Sequence, residues 1–223
     1  MRIPFLLAVL GALLLPAIGA GAQTCFGNAR FSSGPVRLGA GLISSEGAKS
    51  YGVDLAVGAA AGPFASGAVS RTKYSDIDGS ATSFGVTLGY AIDVNSTRTV
   101  QVCPYLDLGH TSVPDIDVGL SMLESSADAV GLGGSIGGTV PVAPNLDVVP
   151  FVGATYAISR YWATLDGTTD SISERYGLID VGVGFVINKV VTVQPQVSLP
   201  VGVEGAKSSF ALSFAFSFGA SKP

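Results

Sequence analysis

Ten residues close to the C-terminus alternate between bulky apolar and small side chains without a break. The bulky set is Phe210, Leu212, Phe214, Phe216 and Phe218, and the small set is Ser209, Ala211, Ser213, Ala215 and Ser217. Because successive side chains of a β-strand point to opposite faces, this pattern predicts a strand with one apolar face. A strand of a soluble sandwich would carry charge on its other face, and this one carries none. The pattern therefore favours a strand between lipid and a crowded barrel interior.

An apolar strand that ends in phenylalanine near the C-terminus resembles the terminal strand of bacterial outer-membrane β-barrels. The resemblance implies that the barrel-insertion machinery reads this strand. It also implies outer-membrane lipid and lipopolysaccharide as the surroundings of the folded chain.

The N-terminus predicts export. Met1 and Arg2 form a short basic start, residues 3–18 are apolar, and Ala20-Gly21-Ala22 is a small-x-small cleavage site. This is the pattern of a secretory signal peptide over 1–22, which leaves 23–223 as the barrel domain. The alternative is a membrane anchor, but the apolar run is shorter than the ~20 residues of a spanning helix and contains two prolines. After residue 22 no apolar run is long enough for such a helix.

The composition excludes some classes of function. Charged residues make up 13% of the chain, against ~25% in ordinary soluble domains. The formal net charge is −4, which gives no support for nucleic-acid binding, because that function needs a basic face.

Alternation and turn residues predict ten strands. Their ranges are 36–43, 51–60, 64–74, 82–92, 99–110, 128–142, 146–159, 176–187, 190–201 and 209–218. Connections after even-numbered strands are short, and those after odd-numbered strands are generally longer, the longest being 111–127 and 160–175. Outer-membrane barrels have even strand counts, short periplasmic turns and longer external loops. The predicted fold is therefore all-β: a single closed antiparallel up-and-down transmembrane barrel. The best-known small members of the family, the OmpA type, have eight strands, which is the alternative count.

The predicted inward face carries several polar residues. They are Arg37, Asp54, Arg71, Lys73, Gln101, Tyr105, Asp107, Asp180 and Gln194. In the third strand, Phe64 and Tyr74 are predicted to face outward, at the two edges of the apolar band. A barrel of this size has room for side chains or one small ligand. We expect a charge-paired structural network, with a narrow pore or ligand cavity as the alternative, and segment 24–34 as a candidate to fill part of the lumen.

The two cysteines are Cys25 and Cys103. Cys103 has the inward parity of its strand and lies near the predicted periplasmic end, and Cys25 lies in the N-terminal segment on that same side. Because the periplasm is oxidising, we expect a disulfide that ties this segment to the barrel mouth. The alternative is two unpaired thiols, since pairing requires Cα atoms within about 7 Å.

One combination of residues points to catalysis. The chain's one histidine, His110, precedes Ser112 by two residues, and Glu124 follows twelve residues later. Base, nucleophile and carboxylate are the groups of an acyl hydrolase. The spacing resembles that of outer-membrane lipid A deacylases, although Val113 takes the place of that family's asparagine. An ordinary strand end with a hydroxyl-rich loop explains the same residues.

Acidic residues cluster in the predicted loops. They are Asp76, Asp78, Asp115, Asp117, Asp166 and Asp170. Carboxylates suit Ca²⁺ or Mg²⁺, but the spacing matches no calcium loop, so solvated charge is the better interpretation. We assign no catalytic, cofactor-binding or metal-binding residue. The sequence predicts an outer-membrane barrel with a structural, surface-interaction or small-pore role, and the lipid-facing acyl hydrolase is the alternative.

Overall fold

The computed structural model describes residues 24–29, 31, 34–75, 79–117, 122–203 and 205–219. The predicted signal peptide, 1–22, lies outside these residues. Among the helices of the described residues, none is long and apolar enough to span a bilayer. This result does not bear on crossing by strands.

Apart from one short 3₁₀ turn at Thr24–Phe26, the regular structure described is β-strand. The strands are β1 Val36–Ser45, β2 Ala48–Gly58, β3 Gly62–Tyr74, β4 Ser80–Asp93, β5 Val100–Asp117, β6 Met122–Gly138, β7 Val140–Ala143, β8 Leu146–Leu165, β9 Thr168–Ile187, β10 Val191–Val201 and β11 Ser209–Phe218. The last of them has the bounds that the alternation predicts.

The strands close into a ring. Strands that follow one another in the chain pair antiparallel, apart from β6 and β7; β11 pairs with β1, and β6 pairs with β8. The four-residue β7 follows β6 after Thr139 and extends its pairing with β8. The barrel therefore has ten strands around its circumference, which confirms the predicted count and fold and excludes the alternative of eight.

The two ends of the barrel differ. The N-terminal segment lies at one end, which we call the plug end. The strands are connected there by residues 59–61, 94–99, 144–145 and 188–190. We call the opposite end the hairpin end. The predicted long loops 111–127 and 160–175 are mostly strand, because β5 pairs with β6, and β8 with β9, almost to the hairpin tips. The long connections predicted from the sequence are therefore long strands, and the loops themselves are short.

The outer surface is apolar around the ring. Leu132 is 68% exposed, Val53 57% and Phe214 49%. Only closed barrels and helices satisfy every backbone group in lipid, and this ring combines closure with an apolar exterior. The barrel is therefore of the transmembrane kind.

Strand β3 corrects one prediction. Its register places Val69 opposite Val53 on β2 and opposite Phe84 on β4, and both of those side chains face outward. Directly paired residues share a face, so the odd residues of β3 point outward. Phe64 is consequently inside, 4% exposed. Arg71 and Lys73, predicted to face the lumen, are exposed on the outer surface. Tyr74, predicted to face outward, packs beside the buried Ala81 and Val113.

Candidate functional site

The N-terminal segment lies inside the barrel. We call its described residues, 24–29 and 31, the plug; all of them are buried. Cys25 and Cys103 form a disulfide with Cα atoms 6.0 Å apart, which confirms the predicted pairing. The bond ties the plug to the inner face of β5.

Aromatic side chains surround the disulfide. The ring of Phe26 lies 5.7 Å from Phe64 and 5.2 Å from Tyr105, centroid to centroid. Phe31 completes a buried cluster with these three rings and both cysteines. Such contacts contribute about 0.5–1.5 kcal/mol per aromatic pair beyond area burial. The sequence did not predict that Phe64 faces inward, and the structure shows that its ring packs against the plug.

Polar contacts tie the plug to the barrel wall. The Thr24 amide donates to Gln101 Oε1 at 3.3 Å, and Gln101 Nε2 donates to Asp93 Oδ1 at 2.9 Å. On the opposite wall, Asn28 Nδ2 donates to Gln194 Oε1 at 3.0 Å. Both glutamines face the lumen as predicted, and each accepts a hydrogen bond from a buried donor of the plug, as buried polar groups require.

Glycines in the wall make room for this backbone. A Cβ atom on Gly184 would overlap the carbonyl oxygen of Gly27, and one on Gly137 would overlap that of Thr24. These are close approaches of one backbone to another, which only glycine permits. The wall sequence and the plug are therefore matched in shape.

A buried ion pair lies at the same end. Arg37 Nη2 is 2.5 Å from Asp54 Oδ2, and the side chains are 0% and 2% exposed. A Cβ atom on Gly39 would overlap the Asp54 carboxylate, so this glycine also provides space. The predicted inward positions of both charges are confirmed, and they pair as buried charges must.

Above the plug the lumen is open. A cavity of about 140 Å³ lies there, with Phe26 and Phe151 among its lining residues. Small hydroxylated and amide side chains form much of its wall: Ser66, Ser83, Thr87, Thr111, Ser135, Thr155, Gln194, Gln196, Ser198, Ser209 and Ser213. The plug thus forms the floor of a cup that opens toward the hairpin end.

Two carboxylates project into this cup. Asp107 Oδ1 accepts from Thr87 Oγ1 at 2.6 Å. Asp180 Oδ1 accepts from Gln196 Nε2 at 2.9 Å and from Ser198 Oγ at 2.5 Å. The partners are neutral donors, so the hydrogen bonds orient the carboxylates without cancelling their charge.

The residues of the alternative acyl hydrolase, His110, Ser112 and Glu124, lie on the outer surface. His110 Nδ1 is 2.7 Å from Asp128 Oδ1, and both side chains are about half exposed. The imidazole therefore has Asp128 as its carboxylate, and not Glu124. Register explains the difference, because β6 places Asp128 opposite His110 and Ser126 opposite Ser112.

Ser112 shares the outward face of His110 and is exposed. Among the side-chain contacts of the described residues, Ser112 makes no hydrogen bond to His110. Glu124 is exposed on β6, with Thr164 as its neighbour on β8. His110 and the Asp128 carboxylate are thus in contact, whereas the Ser112 hydroxyl is not hydrogen-bonded to His110 among the described residues. Asp128 could have been found only by knowing the hairpin register.

The acidic loop residues do not assemble into a site that the structure describes. Asp166 and Asp170 are exposed near the tip of the β8–β9 hairpin. Asp76 and Asp78 lie outside the described residues, as do the side chains of Asp115 and Asp117. Among the described residues no group of three or more His, Cys, Asp or Glu is placed to hold a metal ion.

Comparisons with known proteins establish the fold alone. No protein-family model matches the chain, and no curated protein matches it. The β domain of the Bordetella autotransporter BrkA is 12% identical, with a TM-score of 0.52, and the match covers 82% of this chain and 98% of that one.

Two other solved barrels match at lower TM-scores. The N-terminal β-barrel domain of Pseudomonas aeruginosa OprF is 13% identical (TM-score 0.41, 82% of this chain, 96% of that chain). The translocator domain of Neisseria meningitidis NalP is 12% identical (TM-score 0.46, 82% and 87%). The fold defines the class, a closed antiparallel transmembrane β-barrel. Within that class the chain resembles bacterial outer-membrane barrels.

Proposed function

We propose that this protein is an integral outer-membrane barrel closed at its periplasmic end by its own N-terminal segment, with a structural and surface-interaction role. In this role the barrel is an anchor that holds the β5–β6 and β8–β9 hairpins outside the cell. The open small pore, also considered from the sequence, is less well supported.

The observation that carries this proposal is the plug. A disulfide, an aromatic cluster and hydrogen bonds to two opposite walls fix it across the lumen. A solute crossing the barrel would have to displace Phe26 and the backbone near Gly27, which fits against Gly184. The three kinds of contact act on the same short segment, so they favour a permanently closed state.

The outer surface supports the membrane assignment. On β5, β6 and β8 the apolar neighbours Leu108, Val130 and Ile158 are followed toward the hairpin end by His110, Asp128 and Arg160. This change from apolar to charged side chains is expected where hydrocarbon gives way to headgroups.

The basic side chains suggest the lipid partner. Lys49, Arg71 and Lys73 are exposed on the outer surface near the hairpin end, where they would contact the phosphates of lipopolysaccharide. We also propose that β11, with its terminal Phe218, is read by the barrel-insertion machinery. Export by the predicted signal peptide 1–22 belongs to the same proposal.

Conductance in planar lipid bilayers tests the closed state. The full mature protein, oxidised, should give no stable channel steps. The Cys25→Ser/Cys103→Ser double variant should give intermittent openings, because the plug is then held only by packing and hydrogen bonds. A steady conductance of the oxidised wild-type protein would show that the plug leaves a pathway and would refute the closed barrel.

A second function, lipid-facing acyl hydrolysis, is favoured by one observation. The His110–Asp128 contact at 2.7 Å supplies a base held by a carboxylate beside Ser112, on the face that meets lipid. Release of fatty acid from lipid A by the purified protein, abolished by both Ser112→Ala and His110→Ala, would establish it, because nucleophile and base act as a unit. Release that persists in Ser112→Ala would exclude this serine as the nucleophile.

A further inference from the structure

We infer that the free edge of β9, residues 168–175, is a docking site for an extended segment of another protein, which adds to the sheet as a further antiparallel strand. The segment presents two basic side chains around an apolar one on the same face. This inference deepens the proposed surface-interaction role, and it rests on that role for the location of the β8–β9 hairpin outside the cell. It is carried by unpaired backbone groups, by the regularity of the edge and by the side chains along it.

The β8–β9 hairpin extends beyond its neighbour on one side. Strand β9 pairs with β8 over its whole length, whereas β10 pairs with β9 no further than Gly177. The loop after β10 does not replace the missing strand, because among the described residues it makes no backbone hydrogen bond to β9 before Gly177. All residues of the free edge are exposed except Glu174, which is half-buried. At ~27 Å, this edge is longer than a typical strand of ~17–20 Å.

The turn of the hairpin decides which backbone groups point to the free edge. Asp166 and Gly167 both have positive φ, 51° and 77°, as in a two-residue type I′ turn. The flanking residues Leu165 and Thr168 then form a hydrogen-bonded pair, and hydrogen-bonded and non-hydrogen-bonded pairs alternate along the hairpin. The even-numbered residues of β9 thus bond to β8. The N–H and C=O groups that point to the free edge belong to the odd-numbered residues Thr169, Ser171, Ser173 and Arg175.

The other open edge, on β5, is protected against strand addition. Beyond Ser112, where its pairing with β4 ends, β5 contains Pro114, which has no N–H to donate. Its register with β6 also shifts between Val113 and Ile116. A proline and a bulge are devices that prevent a further strand from pairing at an edge. The free edge of β9 has neither, and its pairing with β8 is continuous, so it offers a regular template for a partner strand.

The side chains along the free edge define the partner. On the face that continues the inner wall of the barrel, Ile172 lies opposite the buried Tyr161, with Asp170 and Glu174 on either side of it. Ile172 is 40% exposed. No ion pair of the described residues involves either carboxylate. Because directly opposite side chains of neighbouring strands interact, the added strand should present basic, apolar and basic side chains at alternate positions.

The sequence argues against a second copy of this chain as the partner. No two lysine or arginine residues of the chain are four positions apart, so none of its segments has the required pattern. Antiparallel pairing of two β9 edges centred on Ile172 would also place Asp170 opposite Glu174, and like charges directly opposite each other are destabilising. The two carboxylates therefore favour a basic segment of a different protein.

The test is a fluorescence-anisotropy titration of the full-length mature protein, in a neutral detergent, with a labelled synthetic peptide. In this peptide lysine, valine and lysine alternate with threonine. One matched peptide carries glutamate in place of both lysines. The other keeps the lysines but has N-methyl groups on its threonine amides, which face β9 in the antiparallel pairing. We expect saturable binding of the lysine peptide. Each matched peptide should bind about tenfold more weakly, since one loses charge complementarity and the other loses backbone hydrogen bonds.

Variants of the protein locate the site. Ser173→Pro removes an N–H that makes no hydrogen bond within the hairpin, so the barrel should fold while peptide binding weakens about tenfold. Ser173→Ala keeps this N–H and should change nothing. Asp170→Asn and Glu174→Gln should each weaken binding about threefold, as expected for exposed charge pairs. Asp166→Asn, which removes a charge from the turn of the same hairpin, is the control for bulk electrostatics. Retained heat-modifiable migration on gels shows that each variant is folded.

Three results of the titration would overturn the inference: no binding of the lysine peptide to the folded wild-type protein, equal binding of the N-methylated peptide, or binding unaffected by Ser173→Pro. Equal binding of the N-methylated peptide would indicate electrostatic attraction without strand addition. A dimer seen by sedimentation without peptide, and abolished by Ser173→Pro, would assign the edge to a second copy and would also refute the inference. The titration does not depend on conductance, so failure of the closed barrel and failure of the docking site are separate results.

Discussion

The two halves of the lumen share one wall but differ in what fills it. At the plug end, aromatic rings, a disulfide and a buried ion pair exclude water. Toward the hairpin end, the same strands present serines, threonines and two carboxylates to an open cavity. The strands do not differ in kind between the halves. The N-terminal segment makes the difference, because it supplies the apolar surface that the wall lacks.

This comparison teaches that a barrel interior can combine a protein core with a ligand-sized cup. The plug half should therefore respond to substitution as a tightly packed core does, with large losses of stability. The cup half should respond as a hydrated surface does, with small losses. The variants below test that contrast, from the largest expected effect to the smallest.

Asp54→Ala should have the largest effect. It leaves Arg37 buried at 0% side-chain exposure without its carboxylate, and breaking a buried pair costs about 3–5 kcal/mol. The free energy of unfolding in urea, with lipid vesicles, measures it. Asp107→Ala in the cup is the matched control and should lose much less, because water reaches that site. Equal losses would contradict the division into core and cup.

Removal of the disulfide should come next. Cys25 and Cys103 are 78 residues apart, and opening a loop of that size costs about 2–4 kcal/mol, largely by releasing the unfolded chain. The same urea experiment on the Cys25→Ser/Cys103→Ser variant measures it, and wild-type protein under reducing agent is the control. Unchanged stability would mean that packing alone holds the plug.

Gly184→Ala should destabilise by about 1–3 kcal/mol, as overpacking does. Its new methyl group would overlap the Gly27 carbonyl oxygen. Gly109→Ala, in the cup half, is the control: its Cβ would lie 3.8 Å from the nearest heavy atom, and little change is expected. Thermal denaturation of the two variants compares the halves directly. A larger loss for Gly109→Ala would reverse the comparison.

Ser112→Ala should have the smallest effect, under ~0.5 kcal/mol, because the exposed hydroxyl lies on the outer surface and belongs to neither half. The urea midpoint measures it. A loss above 1 kcal/mol would show that this hydroxyl makes a contact that matters for stability.

The faces of most strands could be predicted from the sequence, because alternation is a local property. Strand β3 could not, since its even residues Ser66, Ser70 and Thr72 and its odd residues Arg71 and Lys73 are all polar. Pairing with β2 and β4 decides its orientation, and pairing is not local.

The site was predicted only in part. The disulfide could be predicted because Cys103 has the inward parity of its strand and lies at the same end of the barrel as Cys25. The Asp128 partner of His110 depends on the register of a hairpin, and the cup depends on where the plug lies in the lumen. Neither is encoded in the spacing of residues along one strand.

The unequal strand lengths fix where the bilayer must stop. Strands β8 and β9 have 20 residues each and β1 has 10, or ~66 Å against ~33 Å along the strand. Strand β4 does not pair with β5 beyond Ser112, and β10 does not pair with β9 between its start and Tyr176. Among the described residues, each of these stretches therefore has a neighbouring strand on one edge only. Those amides and carbonyls must bond to water, which hydrocarbon cannot supply. On the side of the hairpin end, the hydrocarbon layer therefore stops before these two open edges, at a height dictated by backbone solvation.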